Sequence, residues 1–142
     1  MALTLIFTLA EEVYGLEIGA VQEIIEDPSL HYVPLAKGVL TGAINFHGQV
    51  LAVIDLPALL GFVGAGHDHR HVVLTPEFRS LVLMVSGIEK IIELDLSGLQ
   101  PTPANTESKA IRGVVDLDDM MVNLLDTDEV FNRLENIYAG IK

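Results

Sequence analysis

The chain repeats itself, and this repeat is the feature that most restricts the folds it can adopt. The segment Gly42–Asp55 aligns without gaps on Gly113–Asp126, and both copies place a polar turn between two apolar strands. Upstream, Leu16–Glu26 aligns on Leu83–Glu93 in the same order. Self-similarity at a fixed period predicts two related structural units of about 70 residues each.

Units of that size form a core with difficulty when alone, so the two are expected to pack on each other. We therefore interpret residues 1–142 as a single domain that contains half-repeats at about 13–60 and 80–131.

The hydrophobic pattern predicts an all-β fold. Short runs rich in Val, Ile and Leu are separated by Gly, Pro, Asp or Asn about every 8–12 residues. Two segments, Gly19–Glu26 and Gly87–Leu94, are ambiguous and fit a short helical turn that leads into a strand. The predicted strands are Leu3–Leu9, Val13–Ile18, Gly42–Phe46, Gln49–Ile54, His71–Thr75, Leu81–Val85, Gly113–Leu117 and Met120–Leu125.

One helix is expected near the end of the sequence. Asp126 can cap the backbone N–H groups of a helix that starts near Thr127. An apolar stripe at i, i+4 and i+7 runs along this helix, and Gly140 marks its expected end. The pattern is typical of a terminal helix that covers a core.

Composition excludes several classes of function. The chain has 20 acidic and 8 basic residues, a net charge of −12, so it lacks the cationic surface that nucleic acids or anionic membranes require. It contains no cysteine, which excludes disulfides and thiolate metal sites and suits a reducing compartment. No basic leader precedes the first apolar run. We expect a cytoplasmic protein that inserts into no membrane.

No sequence motif indicates catalysis or a cofactor. The nucleophile elbow, the Walker loop and the zinc-hydrolase motif are all missing from the sequence. His67, His69 and His71 alternate and could face one way as metal ligands, although an ordinary solvated loop is the simpler interpretation. The default for a β domain of this kind is a binding module rather than an enzyme.

Several motifs together resemble the CheW-like domain family, and the resemblance runs from Leu5 to about Phe131. Their spacing makes the resemblance specific, and the internal repeat agrees with it. The motifs are Val13–Ile18 with Val21–Ile24, Gly42–Gly48 with Val50–Leu56, and Ile111–Gly113 with Met121–Asp126.

The resemblance implies a fold of two SH3-like five-stranded β-barrels packed on each other, with short helices and a C-terminal helix. It also implies a non-enzymatic adaptor that couples the cytoplasmic tip of a chemoreceptor to the regulatory domain of a CheA-type histidine kinase. The receptor tip would dock in a groove between the barrels. By matching positions, the groove would be lined by Val21, Glu23, Ile24, Val82, Ile88 and Ile91. Without the resemblance, core packing is the more natural interpretation of the apolar members of this set.

A second site implied by the resemblance is the turn at Asn45 and His47, which would contact a partner. The family's signature arginine is His47 in this chain. That departure leaves open an alternative, a diverged β-barrel interaction module of another signalling pathway. The less favoured alternative is metal binding through the three alternating histidines.

Overall fold

The computed structural model describes residues 1–31, 38–76, 80–101 and 110–138. Ten strands account for most of these residues, and both helices are short. The strands are β1 Ala2–Leu9, β2 Glu12–Glu17, β3 Val21–Glu26, β4 Leu40–Phe46, β5 Gln49–Asp55, β6 Arg70–Leu74, β7 Leu81–Met84, β8 Gly87–Leu94, β9 Ile111–Leu117 and β10 Met120–Leu125. The helices are α1 Leu56–Leu59 and α2 Thr127–Tyr138.

The strands form two five-stranded sheets. The first has the order β8-β1-β2-β10-β9 and the second the order β3-β6-β7-β5-β4. Neighbours pair antiparallel except β10 with β2 and β5 with β7, which run parallel. The pairing among the described residues leaves both sheets open rather than closed, and each has the strand arrangement expected of an SH3-like unit.

The two sheets are related by the sequence repeat, position by position. Gly42 and Gly113 are the third residues of β4 and β9, and Asp55 and Asp126 stand at the ends of β5 and β10. Each aspartate caps the following helix: Asp55 accepts a hydrogen bond from the N–H of Ala58 at 3.1 Å, and Asp126 accepts one from the N–H of Glu129 at 3.2 Å. The aligned segments therefore occupy equivalent elements.

However, the boundary between the sheets does not follow the boundary between the repeats. Strands β1 and β6 precede the aligned segments, but they pair with the equivalent strands β8 and β3 and so extend the repeat upstream. The first sheet takes β1 and β2 from the first repeat and its other three strands from the second. The second sheet takes β6 and β7 from the second repeat and its other three strands from the first. Each repeat thus contributes two strands to the sheet that is built mainly from the other.

Three clusters of buried side chains hold this arrangement together. The largest lies between the sheets, where Phe7 and Tyr14 stack at 5.9 Å between ring centroids among residues from both sheets and both helices. Each sheet also has a smaller cluster formed by its own side chains. The cluster of the second sheet includes Val53, and that of the first sheet includes Val122. The strands that line the large cluster bury alternate side chains, as β1 does with Leu5, Phe7 and Leu9, because successive side chains point to opposite faces.

The eight strands predicted from the sequence are all present, with ends that differ by at most two residues. Of the two ambiguous segments, the first forms a 3-10 turn at Ile18–Ala20 followed by β3, whereas the second is β8 throughout. The sequence did not predict α1. The predicted helix is α2, and its expected end at Gly140 lies outside the described residues. Within the described ranges, no helix is long and apolar enough to cross a membrane.

Candidate functional site

The outer strands β3 and β8 carry most of the residues that the resemblance assigns to a partner-binding groove. They are repeat equivalents, and Val21 matches Ile88 while Ile24 matches Ile91. Val21, Ile24 and Ile88 are half-buried and pack against the cluster between the sheets. Ile91 is 51% exposed. We call these four side chains the apolar edge residues.

Val82 does not belong with them, and its assignment to the groove needs correction. Its side chain is completely buried in the interior of the second sheet, with Val53 and Val73. The physical reason is that β7 lies in the middle of its sheet, between β6 and β5. A continuous apolar run such as Leu81–Val85 is itself the signature of a strand that is covered on both faces. Val82 is a core residue.

The turn between β4 and β5 is rigid and presents His47. His47 and Gly48 have φ angles of 50° and 85°, and a two-residue hairpin with both φ values positive is a type I′ turn. The Asn45 side chain accepts a hydrogen bond from the N–H of Gly48 at 3.0 Å, so Asn45 holds the turn. The His47 side chain is 72% exposed and its ring meets the Phe46 ring edge-on at 4.3 Å.

Glu23 connects the two predicted binding sites. One of its carboxylate oxygens lies 3.7 Å from Nε2 of His47, so β3 and the β4–β5 turn share one surface. By the resemblance, these two residues belong to separate partner sites, and no pattern in the sequence indicates that they lie close together. A charge on His47 would interact with Glu23 as well as with a partner.

A pair of side chains that had not been predicted, Asp68 and Arg70, joins β6 of the second sheet to the outer strand β8. The carboxylate of Asp68 accepts three hydrogen bonds from Arg70, donated by its Nε, its Nη2 and its backbone N–H at 2.9–3.0 Å. It accepts a fourth from the backbone N–H of Ile88 at 2.8 Å. Together these bonds hold the pKa of Asp68 well below its usual range, and the hydrogen bonds from the Arg70 guanidinium make the largest contribution. The only local signal was the Asp-x-Arg spacing at the start of a strand.

The three alternating histidines do not form a set of metal ligands. His67 Nε2 lies 3.1 Å from Asp55, and the exposed His69 lies 3.4 Å from Asp68. His71 is 94% buried on β6, and neither ring nitrogen has a hydrogen-bond partner. In the part of the chain that the structure describes, no group of three or more His, Cys, Asp or Glu side chains could hold a metal ion. Nothing in the geometry favours the metal-binding alternative.

His71 makes the stability of the protein depend on pH. Burial is the largest influence and lowers the pKa of His71, and nearby His67 acts in the same direction. The backbone of Arg70, Asp68 and Asp27 oppose this shift without reversing it. Below about pH 6.5 the unfolded chain takes up a proton at His71 more readily than the folded protein does. Stability from this group is therefore complete above the unfolded pKa of about 6.5 and is lost as the pH falls below it. We expect urea unfolding at pH 5 to show lower stability than at pH 7.5.

The His71→Leu variant should lose this part of the pH dependence and gain about 1 kcal/mol at pH 7.5, because a buried polar group without partners is removed. His69→Leu, at an exposed position, is the matched control. Equal pH profiles for the wild type and His71→Leu would contradict the prediction.

Comparisons with known proteins agree with this architecture. The family model described as CheW-like domain matches residues 3–135. A chemotaxis protein CheW of Rhizobium meliloti is 31% identical over 130 residues, which cover 88% of this chain and 84% of that protein. A probable chemotaxis protein CheW of Rhizobium etli is 29% identical over 135 residues, covering 92% and 87% of the two chains.

A solved structure is also similar. The crystal structure of the scaffolding protein TtCheW from Thermoanaerobacter tengcongensis matches with a TM-score of 0.78 and 28% identity, over 87% of each chain. The family model spans strands of both sheets, including both outer strands β3 and β8. This chain belongs to the CheW-like domain family.

Proposed function

We propose that this protein is a non-enzymatic adaptor of bacterial chemosensory signalling. It links the cytoplasmic tip of a chemoreceptor to the regulatory domain of a CheA-type histidine kinase, and it works in the cytoplasm without a cofactor. The observation that carries the proposal is the placement of the apolar edge residues at equivalent positions of two paired sheets. Relatives named for chemotaxis, and a structural neighbour named as a scaffolding protein, support it.

The receptor side of the adaptor uses the apolar edge residues. A helical tip has an apolar stripe at i, i+3, i+4 and i+7, which packs well against a row of aliphatic side chains. Glu23 is exposed between Val21 and Ile24 on β3, so it can fix the register of the helix through a charged contact at the rim. Half-buried aliphatic side chains are suitable anchors because they lose water on binding without leaving the core.

The kinase side uses the β4–β5 turn. A rigid type I′ turn presents one side chain at a fixed position, so little conformational entropy is lost when a partner binds. The residue at that position is His47, whose imidazole offers fewer donors than the planar fork of an arginine. We therefore propose that the contact with a standard kinase regulatory domain is weak.

The first test is Val21→Asp. A charge at this half-buried edge position should oppose an apolar helix and weaken binding to a receptor-tip fragment by roughly 10- to 100-fold, the range for loss of a central apolar contact. The unfolding temperature should change little, because the new carboxylate can turn towards water. Val63→Asp makes the same change at a side chain that is 98% exposed, and it is the matched control. Binding and unfolding are measured by calorimetric titration and thermal melts.

Equal binding by the two valine variants would show that the apolar edge residues do not contact the receptor. If Val21→Asp lowered the unfolding temperature as strongly as a substitution in the core, Val21 would be a structural residue rather than a contact residue.

The second test is His47→Arg. An arginine offers a rigid fork of donors for a carboxylate or for backbone carbonyls, and one charge-assisted bond is worth about 1.5–3 kcal/mol. Binding to the regulatory domain from a standard pathway should become tighter by roughly tenfold or more. His69→Arg, at another exposed histidine, should have no such effect. Tight binding by the wild type that His47→Arg leaves unchanged would place the kinase contact elsewhere.

A further inference from the structure

The segment 68–70 is bonded to both of the outer strands that carry the apolar edge residues. On one side, the backbone N–H of Asp27, directly after β3, donates to the carbonyl of His69 at 2.8 Å. On the other side, the Asp68 carboxylate accepts a hydrogen bond from the backbone N–H of Ile88 on β8. Nη2 of Arg70 donates a hydrogen bond to the carbonyl of the same residue at 3.0 Å. The segment therefore spans the distance between the two walls of the proposed receptor site.

The side chains of this segment are ordered by several bonds at once. Asp68 is only 8% exposed, and its two carboxylate oxygens together accept four hydrogen bonds, as given above. Its own N–H donates to the carbonyl of Val85 at 2.9 Å, just before β8 begins. Arg70 belongs to β6 of the second sheet, whereas Ile88 belongs to the first sheet. The Asp68–Arg70 pair thus fixes β8 to the opposite sheet.

This link is not a general requirement of the repeated fold. Glu26 aligns on Glu93, and these two pair with Arg70 and Leu3 respectively. The positions equivalent to Asp68 and Arg70 are therefore Met1 and Leu3, both exposed apolar residues on the other half of the molecule. No such pair can form there, yet β1 and β8 still pair along their length. A sheet of this kind is therefore built without the pair, and the pair occurs only on the side where the outer strands approach the segment 68–70.

We infer that Asp68 and Arg70 are positioning residues for the receptor-binding surface: they set the spacing between β3 and β8, and with it the spacing of the apolar edge residues. This inference rests on the proposed function for its biological meaning. A helix that touches both walls needs them at one separation, so loosening β8 should weaken binding although neither Asp68 nor Arg70 touches the helix.

Asp68→Asn is the variant that tests the inference. Asparagine keeps the shape of the side chain, but its NH2 group cannot accept the hydrogen bonds that one carboxylate oxygen now receives. At least one donor among Arg70 and Ile88 is then left without its partner. Because the chain contains no cysteine, Gln22→Cys and Lys90→Cys allow spin labels to be placed on β3 and β8 alone. Both positions are exposed.

In the labelled protein, Asp68→Asn should broaden the distance distribution between the two labels. In the unlabelled protein, it should lower the affinity for a receptor-tip fragment by about tenfold, the size expected when a substitution acts through a contacting residue. Arg70→Lys keeps the positive charge but cannot form the same fork, so it should give intermediate values in both measurements. Arg112→Gln is the matched control, because it breaks an exposed arginine–carboxylate pair, with Glu17, that does not involve β8.

The two measurements separate this inference from the proposed function. An unchanged distribution of label distances in folded Asp68→Asn would overturn the positioning role. An equal broadening of that distribution in Arg112→Gln would overturn it as well. If the wild type does not bind receptor tips, the adaptor proposal fails, whereas the label distances still decide whether the pair sets the spacing. If Asp68→Asn does not fold, Arg70→Lys decides in its place: a broader distribution supports the inference and an unchanged one overturns it.

Discussion

Neither residues 1–64 nor residues 65–142 should fold when expressed alone, whereas an equimolar mixture should regain a cooperative unfolding transition. Each fragment holds one complete repeat, but the strands of one repeat belong to both sheets. A fragment therefore carries three strands of one sheet and two of the other, and the cluster between the sheets loses about half of its members. The three strands are not all adjacent, so each fragment keeps only two-stranded pairs: β1–β2 and β4–β5 in one, β6–β7 and β9–β10 in the other. Isolated two-stranded pairs are marginally stable at best in water. We propose on this basis that the whole chain is one folding unit.

The measurement is circular dichroism during urea unfolding of each fragment and of the mixture. The control is the intact chain cut at an engineered protease site at Gly64, in an exposed loop, which should leave the two pieces associated and folded. A cooperative transition from either fragment alone would contradict the prediction, because it would mean that one repeat can form its own sheet and core.

The strands were predictable where the sequence alternates or is continuously apolar, and uncertain where it is neither. The two segments left ambiguous are the outer strands β3 and β8, which show mixed burial with few side chains covered. β3 also contains a register shift between Val21 and Glu23 that breaks the period of two. A bulged strand at the edge of a sheet has little regular pattern to detect, because only part of one face is buried.

The exchange of strands between repeats was beyond what the sequence can predict. The repeat shows that two units are related, but the same alignment results whether each unit forms its own sheet or gives two strands to the other. The deciding contacts are the parallel pairs β2 with β10 and β5 with β7. Those of β2 join residues about 110 positions apart, such as Tyr14 and Asn123, and no local pattern encodes such a contact.

The candidate site shows the same limit. The resemblance assigned the apolar edge residues to one binding site, and that assignment stays a prediction. It also included Val82, which is buried in the middle of the second sheet. The pairing of Glu23 with His47 and of Asp68 with Ile88 joins segments that are distant in sequence. Side chains that act by linking such segments are visible only after the fold is known.

Gly42→Ala and Gly113→Ala should each lower the stability of the protein by about 3 kcal/mol, at the upper end of the cost of overpacking. A Cβ atom at Gly42 would lie 2.8 Å from the carbonyl oxygen of His31, and one at Gly113 would lie 2.5 Å from the carbonyl oxygen of Gln100. Both oxygens belong to backbone that cannot rotate away as the end of a side chain can.

Each of these carbonyls also accepts a hydrogen bond from the residue after the glycine, at 3.0 Å from the N–H of Ala43 and 2.8 Å from that of Val114. A methyl group that pushes the carbonyl outward therefore weakens the bridge that covers the outer edge of β4 or β9. The two effects add, because steric relief and the hydrogen bond require opposite movements of the same segment.

The matched control is Gly66→Ala, where a Cβ atom would meet nothing within 4 Å. That change should be neutral or slightly stabilising, since alanine restricts the unfolded chain more than glycine does. Urea unfolding of the three variants is the measurement. Because Gly42 and Gly113 are repeat equivalents with the same kind of contact, they should lose similar amounts of stability, with the larger loss at Gly113 where the approach is closer. Equal stability of all three variants would show that the bridging segments at His31 and Gln100 can move aside without cost. The short distance from a Cβ atom to these carbonyl oxygens would then not explain why both copies of the repeat begin with glycine.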